Sequence, residues 1–154
     1  MEIRTKIKAE SGKQDLVITR QFDLPLDLLF KAYVEADIVE QWMGTKVLKL
    51  ENKRHGGYQF ETTDPKGNKY HFSGAIHNFV LNEKITRTFE FENMPFGVQL
   101  EFLVFEKLSN DTSKLTMHTL YETGAQRDQM LKMGMTQGIN MAHNRLEEIV
   151  KQIK

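Results

Sequence analysis

Apolar and polar residues alternate with the two-residue period of a strand over most of the chain up to Tyr121, and from Ala125 onward they recur with the period of a helix. Residues 2–9 place Ile3, Thr5, Ile7 and Ala9 between charged neighbours, and Ser11–Gly12 then turns the chain. A second run, Asp15 to Phe22, sets Leu16, Ile18 and Phe22 on one face, with Arg20 intruding among them. Pro25 suits the first turn of a helix and Asp23 its cap, with Leu28, Leu29, Ala32 and Tyr33 at helical spacing. A second short helix runs from Asp37 to Trp42 and stops at Gly44. Strands are predicted over 45–52, 57–63, 69–80, 84–92, 97–107 and 113–121. Between them lie turn signals such as Arg54–His55–Gly56–Gly57 and Asp64–Pro65–Lys66–Gly67.

The last thirty residues, Ala125 to Lys154, predict one long amphipathic helix. With Leu131 as origin, Met135, Gly138, Ile139, Ala142, Leu146, Ile149, Val150 and Ile153 share a stripe, and Asn140, Asn144, Glu147 and Lys151 lie opposite. Gly134 and Gly138 sit one turn apart near the buried side, each costing about 1 kcal/mol of helix stability relative to Ala. Their presence predicts a close approach to the helix backbone, by a strand or by a bound molecule. A curved antiparallel sheet wrapped around that helix, with two short helices after the early strands, buries both apolar faces. This is an α+β solution.

Length and composition narrow the picture. A chain of 154 residues suits a single domain, 1–154, with one core. Twenty-one basic residues balance twenty-one acidic ones, which argues against nucleic acid or an anionic membrane surface as partner. With no cysteine there is no disulfide, thiolate nucleophile or zinc–sulfur site. The N-terminus lacks an apolar signal core and no run approaches membrane-spanning length, so a cytoplasmic protein is expected.

Several segments together resemble a known family. Residues 18–25 (ITRQFDLP), Leu29–Phe30–Lys31–Ala32–Tyr33 and Gln41–Trp42–Met43–Gly44 are similar to the opening of START-like proteins. Among these, they resemble the family named after the activator of the ninety-kilodalton heat-shock chaperone ATPase. The similarity continues through Gly56–Gly57–Tyr58, through residues 67–74 (GNKYHFSG) and Glu83–Lys84–Ile85–Thr86, and into residues 133–138 (MGMTQG) and Arg145–Leu146. It implies a helix-grip fold with a cavity between sheet and helix. Three positions depart from the family pattern: Ile139 where Trp is frequent, His143 where Leu is common, and Arg87 where an aromatic is usual.

Candidate chemistry is sparse. There is no Gly-x-Ser-x-Gly and no phosphate-binding glycine loop, and no His pair has metal-ligand spacing on a helix, so no cofactor or metal is expected. His71 and His77 fall on the outer face of their strand, and His143 reads as a hydrogen-bonded histidine flanking the helix stripe. Arg20 and Arg87 each interrupt an inward-facing apolar alternation. A buried guanidinium needs a counter-charge. It is either an internal ion pair with Glu61, Glu101 or Glu122, or an anchor for an acidic ligand. Trp42, Phe60, Phe72, Phe89, Phe91 and Phe102 are expected to face inward, together with Met117, Met130 and Met135. Four of eight methionines (130, 133, 135 and 141) crowd the start of the last helix, as suits core filling or an adaptable ligand wall.

These readings give a candidate ligand-binding set of Trp42, Phe60, Phe72, Arg87, Phe89, Met135 and Ile139. The function expected is binding of a hydrophobic or amphipathic small molecule in a central cavity, without covalent chemistry, by a monomer or weak homodimer. The alternative is a module acting on a chaperone ATPase through protein contact. A third reading is a cyclase-type enzyme using Arg87, His118 or Tyr121, for which the sequence places no two titratable groups within reach of each other.

Overall fold

The computed structural model describes residues 3–153. Its elements are β1 (Lys6–Lys8), β2 (Asp15–Phe22), α1 (Leu26–Val34), α2 (Ala36–Met43), β3 (Lys46–Leu50), β4 (Gly57–Thr63), β5 (Lys69–Val80), β6 (Lys84–Phe91), β7 (Val98–Lys107), β8 (Ser113–Leu120), α3 (Gly124–Lys132) and α4 (Met135–Lys151). The strands form one curved sheet in the order β1-β2-β8-β7-β6-β5-β4-β3, antiparallel throughout. The predicted strands 57–63 and 69–80 match β4 and β5 in both bounds, and the others end within a residue or two. The run 2–9 shortens to Lys6–Lys8; its first residue, Glu2, and the last residue of the predicted helix, Lys154, lie outside the described residues.

Three sequence expectations need correction. Asp23 does not cap α1: Pro25 occupies the cap position, and its carbonyl accepts from the Leu28 and Leu29 amides. The C-terminal helix is two helices. Gly134, at φ +77°, takes the left-handed conformation that other residues adopt only at a cost, and it separates α3 from α4. The apolar stripe that makes α4 a core helix is missing from α3, whose only buried residue is Arg127. Finally, neither Gly134 nor Gly138 is crowded. Each is exposed, and an added Cβ would meet nothing within 4 Å. Close backbone approach occurs instead in the sheet, where a Cβ on Gly74 would collide with the Thr88 carbonyl.

Alternation decides which face of each strand is inner. Leu16, Ile18, Arg20 and Phe22 of β2, Ile85, Arg87 and Phe89 of β6, and Glu101, Leu103 and Phe105 of β7 point toward the helices. A bulge in β5 between Ile76 and Asn78 shifts the phase, so that Ile76 and Phe79 both face inward and His77 lies exposed on the outside. Phe102, expected inside, lies on the outer face. It pairs with His118 across β8 and has the Lys84 ammonium over its ring. Leu146 and Val150 of α4 are fully buried against this surface, while Phe30 of α1 packs edge-on to Phe79 and Phe105.

Candidate functional site

Between the inner face of the sheet and α2 and α4 lies a cavity of about 220 Å³. Its apolar wall includes Val39 and Trp42 from α2, Phe60 from β4, Phe89 from β6, and Ile139 and Ala142 from α4. Trp42 is fixed by its indole N–H, which donates to the Ala32 carbonyl at 2.6 Å, and by an edge contact with Tyr33 at 5.2 Å. Phe89 and Ile139 also belong to a second, more open groove of about 380 Å³. The groove runs under the α3–α4 junction, between Phe72, Phe91 and Phe96 on one side and Met130, Met133 and Met135 on the other. Phe89 and Ile139 thus stand in the wall of both spaces.

The polar end of the cavity is formed by Arg87, Glu101, Tyr33 and His143. Arg87 and Glu101 stand opposite each other on β6 and β7, and Nε donates to Oε1 at 2.9 Å. Glu101 Oε2 accepts from Gln99 Nε2 at 2.7 Å, and the guanidinium lies over the Tyr58 ring. Of the two alternatives for Arg87, an internal ion pair is therefore made, and with one of the three acids expected. It is made through one nitrogen only.

Arg20 has a different partner from those expected. Its Nη2 meets Glu147 Oε2 at 3.3 Å, and Glu147 Oε1 also pairs with Arg4 and Lys151. Glu147 and Asn140, read as solvent-facing, are buried. The segment leading into β1 covers them, with the Arg4 and Thr5 amides donating to Asn140 Oδ1 and the Arg4 guanidinium to Glu147. The Glu147 carboxyl sits below its ordinary range: burial opposes ionisation, but the hydrogen bond and charge of Arg4, with Arg20 behind them, outweigh it.

His143 links this network to the cavity. Thr5 Oγ1 accepts from Arg20 Nη1 at 3.2 Å and lies 2.8 Å from His143 Nδ1. The threonine proton is therefore directed at Nδ1, which makes Nε2 the protonated nitrogen, aimed at the Tyr33 hydroxyl at 3.4 Å. Burial first, and the Arg20 charge second, push the imidazole down from 6.5 to about 3, so it is neutral at pH 7. The unfolded chain takes up this proton near 6.5 and the folded chain refuses it until about 3. Stability is thus full above the higher value and is lost as pH falls between the two. In that interval the slope approaches about 1.4 kcal/mol per pH unit. Urea unfolding between pH 7 and about 5, above the range where carboxylates titrate, should show this loss, and His143→Gln should flatten it. Parallel pH profiles for the two proteins would contradict the assignment.

Of the seven residues singled out from sequence, Trp42, Phe60, Arg87, Phe89 and Ile139 come together around the cavity, and Phe72 and Met135 line the adjoining groove. Met117, expected to face inward, also lines the cavity, whereas Tyr33 and Ala142 were not placed there from sequence. His143 was legible only as a half-buried flank residue. Its parity with Ile139 on α4 was the available signal. His118 and Tyr121, considered for acid–base work, do not line the cavity. His118 pairs with Asp15 at 2.8 Å on the outer face, and the Tyr121 hydroxyl is enclosed without a hydrogen bond. Among the described residues no group of three or more His, Asp or Glu is placed to hold a metal ion, and no helix is long and apolar enough to cross a membrane.

An antiparallel sheet closed over a C-terminal helix, with a cavity between them, defines a helix-grip protein of the START-like type. The sequence profile of the Activator of Hsp90 ATPase homolog 1-like proteins matches residues 23–151, and the chain belongs to that family. Solved structures share the fold at low identity. Protein Ms6760 from Mycobacterium smegmatis superposes with a TM-score of 0.83 at 20% identity, over 94% of this chain and 95% of that one. A Rhodobacter sphaeroides protein reaches 0.84 at 17% identity, over 97% and 100% of the two chains. One from Arthrobacter aurescens reaches 0.83 at 17%, over 96% and 91%. No curated protein sequence matches the chain.

Proposed function

We propose that residues 1–154 act as one START-like domain that binds a hydrophobic or amphipathic small molecule in the cavity, without covalent chemistry. The observation that carries this reading is that the two spaces lie side by side, with Phe89 and Ile139 in the wall of both. The cavity, at about 220 Å³, is smaller than usual ligand sites, which span roughly 300–1,000 Å³. The adjoining groove adds about 380 Å³ of mostly aromatic and methionine wall. A molecule with a compact head and an apolar tail fits such a shape, with the head inside and the tail passing Phe89 and Ile139. Methionines on the outer wall adapt to tails of different form.

Trp42 is the only tryptophan, so its emission reports on the cavity. Titration with medium-chain amphipaths should shift that emission saturably, and Ile139→Phe, which enlarges a side chain in the wall of both spaces and leaves Trp42 the only tryptophan, should weaken binding. A ligand that binds the protein while leaving Trp42 emission unchanged places the site elsewhere. Family membership also supports a second reading, a module that stimulates a chaperone ATPase by protein contact. Addition of the purified chain to such an ATPase, with turnover as readout, tests it.

A further inference from the structure

The polar end of the cavity carries one positive and one negative charge, and they face each other. Arg87 and Glu101 are 2.9 Å apart in its wall. The other two polar groups there are neutral at pH 7. His143 has its titration pushed far down, and burial raises the Tyr33 phenol well above its ordinary value. Arg20, whose charge reaches both, stands behind them and is matched by Glu147. Hydrogen-bonding capacity is nevertheless left over. Arg87 commits Nε to Glu101, and its two terminal nitrogens make no hydrogen bond among the described residues. The Tyr33 oxygen accepts from His143 Nε2, which frees its own proton to donate. Glu101 Oε1 takes one donor and has lone-pair capacity for another.

Resting on the ligand-binding reading above, we propose that this end of the cavity recognises a neutral carbonyl head, best a primary amide, and discriminates against a carboxylate of the same shape. The carbonyl oxygen accepts from the Arg87 terminal nitrogens and the Tyr33 hydroxyl, and the amide nitrogen donates to Glu101. A carboxylate reaches the same donors but brings a net negative charge into a mostly apolar cavity, beside an existing carboxylate. Desolvation and like-charge repulsion both oppose it. Arginine ordinarily favours acids. Here Glu101 already supplies the acid.

Decanamide and decanoate differ in head charge and little in shape. Each is titrated at neutral pH against the wild-type chain, Glu101→Gln and Tyr33→Phe, with Trp42 emission and calorimetry as readouts. The wild type should bind decanamide at least roughly tenfold more tightly, the factor that corresponds to about 1.4 kcal/mol. Glu101→Gln should reverse the preference, because Arg87 is then an unmatched cation. Tyr33→Phe, which preserves the ring packing, should weaken decanamide roughly five- to tenfold by removing one donor. Wild-type binding of decanoate as tight as decanamide, or Tyr33→Phe with undiminished amide affinity, overturns the inference and leaves cavity binding standing. Should Glu101→Gln not fold, the wild-type and Tyr33→Phe results decide. If neither molecule binds any of the proteins, the inference and the ligand-binding reading fall together.

Discussion

Arg87→Met is expected to lower the unfolding free energy by about 3–5 kcal/mol, the cost of leaving one member of a buried ion pair alone. The residue left behind is Glu101, 5% exposed, whose remaining hydrogen bond comes from Gln99. In water the pair would be nearly worthless. In this wall an orphaned carboxylate must either stay ionised at a large desolvation cost or take up a proton. The double variant Arg87→Met, Glu101→Leu should recover most of the loss, since hydrophobic replacement of both members of a buried pair is often neutral. Chemical denaturation of the wild type, each single variant and the double variant forms a cycle that isolates the pair's coupling. A single variant as stable as the wild type would mean that Arg87 is hydrated in solution and that the pair contributes nothing.

Glu147→Ala is expected to be comparably severe, again about 3–5 kcal/mol, because it removes the counter-charge of an enclosed guanidinium. The Arg20 side chain is fully enclosed, and its remaining partners, Thr5 and Asn140, are neutral. The same carboxylate accepts from Arg4 and from the Asp23 amide, so one substitution loosens the segment before β1, the turn after β2 and α4 together. Lys151 provides the contrast. Its ammonium reaches the same carboxylate at 3.4 Å but is half exposed, and Lys151→Ala should cost no more than about 0.5 kcal/mol. Urea midpoints of the two variants test the ranking. Equal, small effects would show that Arg20 is held by Thr5 and Asn140 alone.

These two ion pairs mark different depths of legibility. Arg87 and Glu101 were both visible in sequence, the first as an intruder in an apolar alternation and the second as one of three acids able to meet it. Strand pairing chose Glu101 by putting it directly opposite. For Arg20 the sequence showed the need and hid the partner. Glu147 falls on the polar side of α4 when the helix is considered against one sheet face. It is buried because Arg4 and Thr5, just ahead of β1, pack on that side, and helical periodicity carries no information about a segment more than a hundred residues away.

The same distinction runs through the fold and the site. Alternation, turn residues and the stripe on α4 determined the α+β class, the strand bounds, the two short helices and most inward-facing aromatics, because these signals are local and recur every two or 3.6 residues. Register across the sheet was decided by tertiary structure. A bulge in β5 resets the phase after Ile76, and the β7 alternation that buries Glu101, Leu103 and Phe105 turns Phe102 outward. Tertiary structure also broke the last helix at Gly134, where α3 has no apolar stripe to hold it in line with α4. The cavity belongs to that second category too. The sequence named Trp42, Phe89 and Ile139 as wall residues, but whether they collapse onto one another or stand apart depends on how α2 and α4 are held off the sheet. That spacing is set by contacts among elements distant in the chain, which no local pattern encodes.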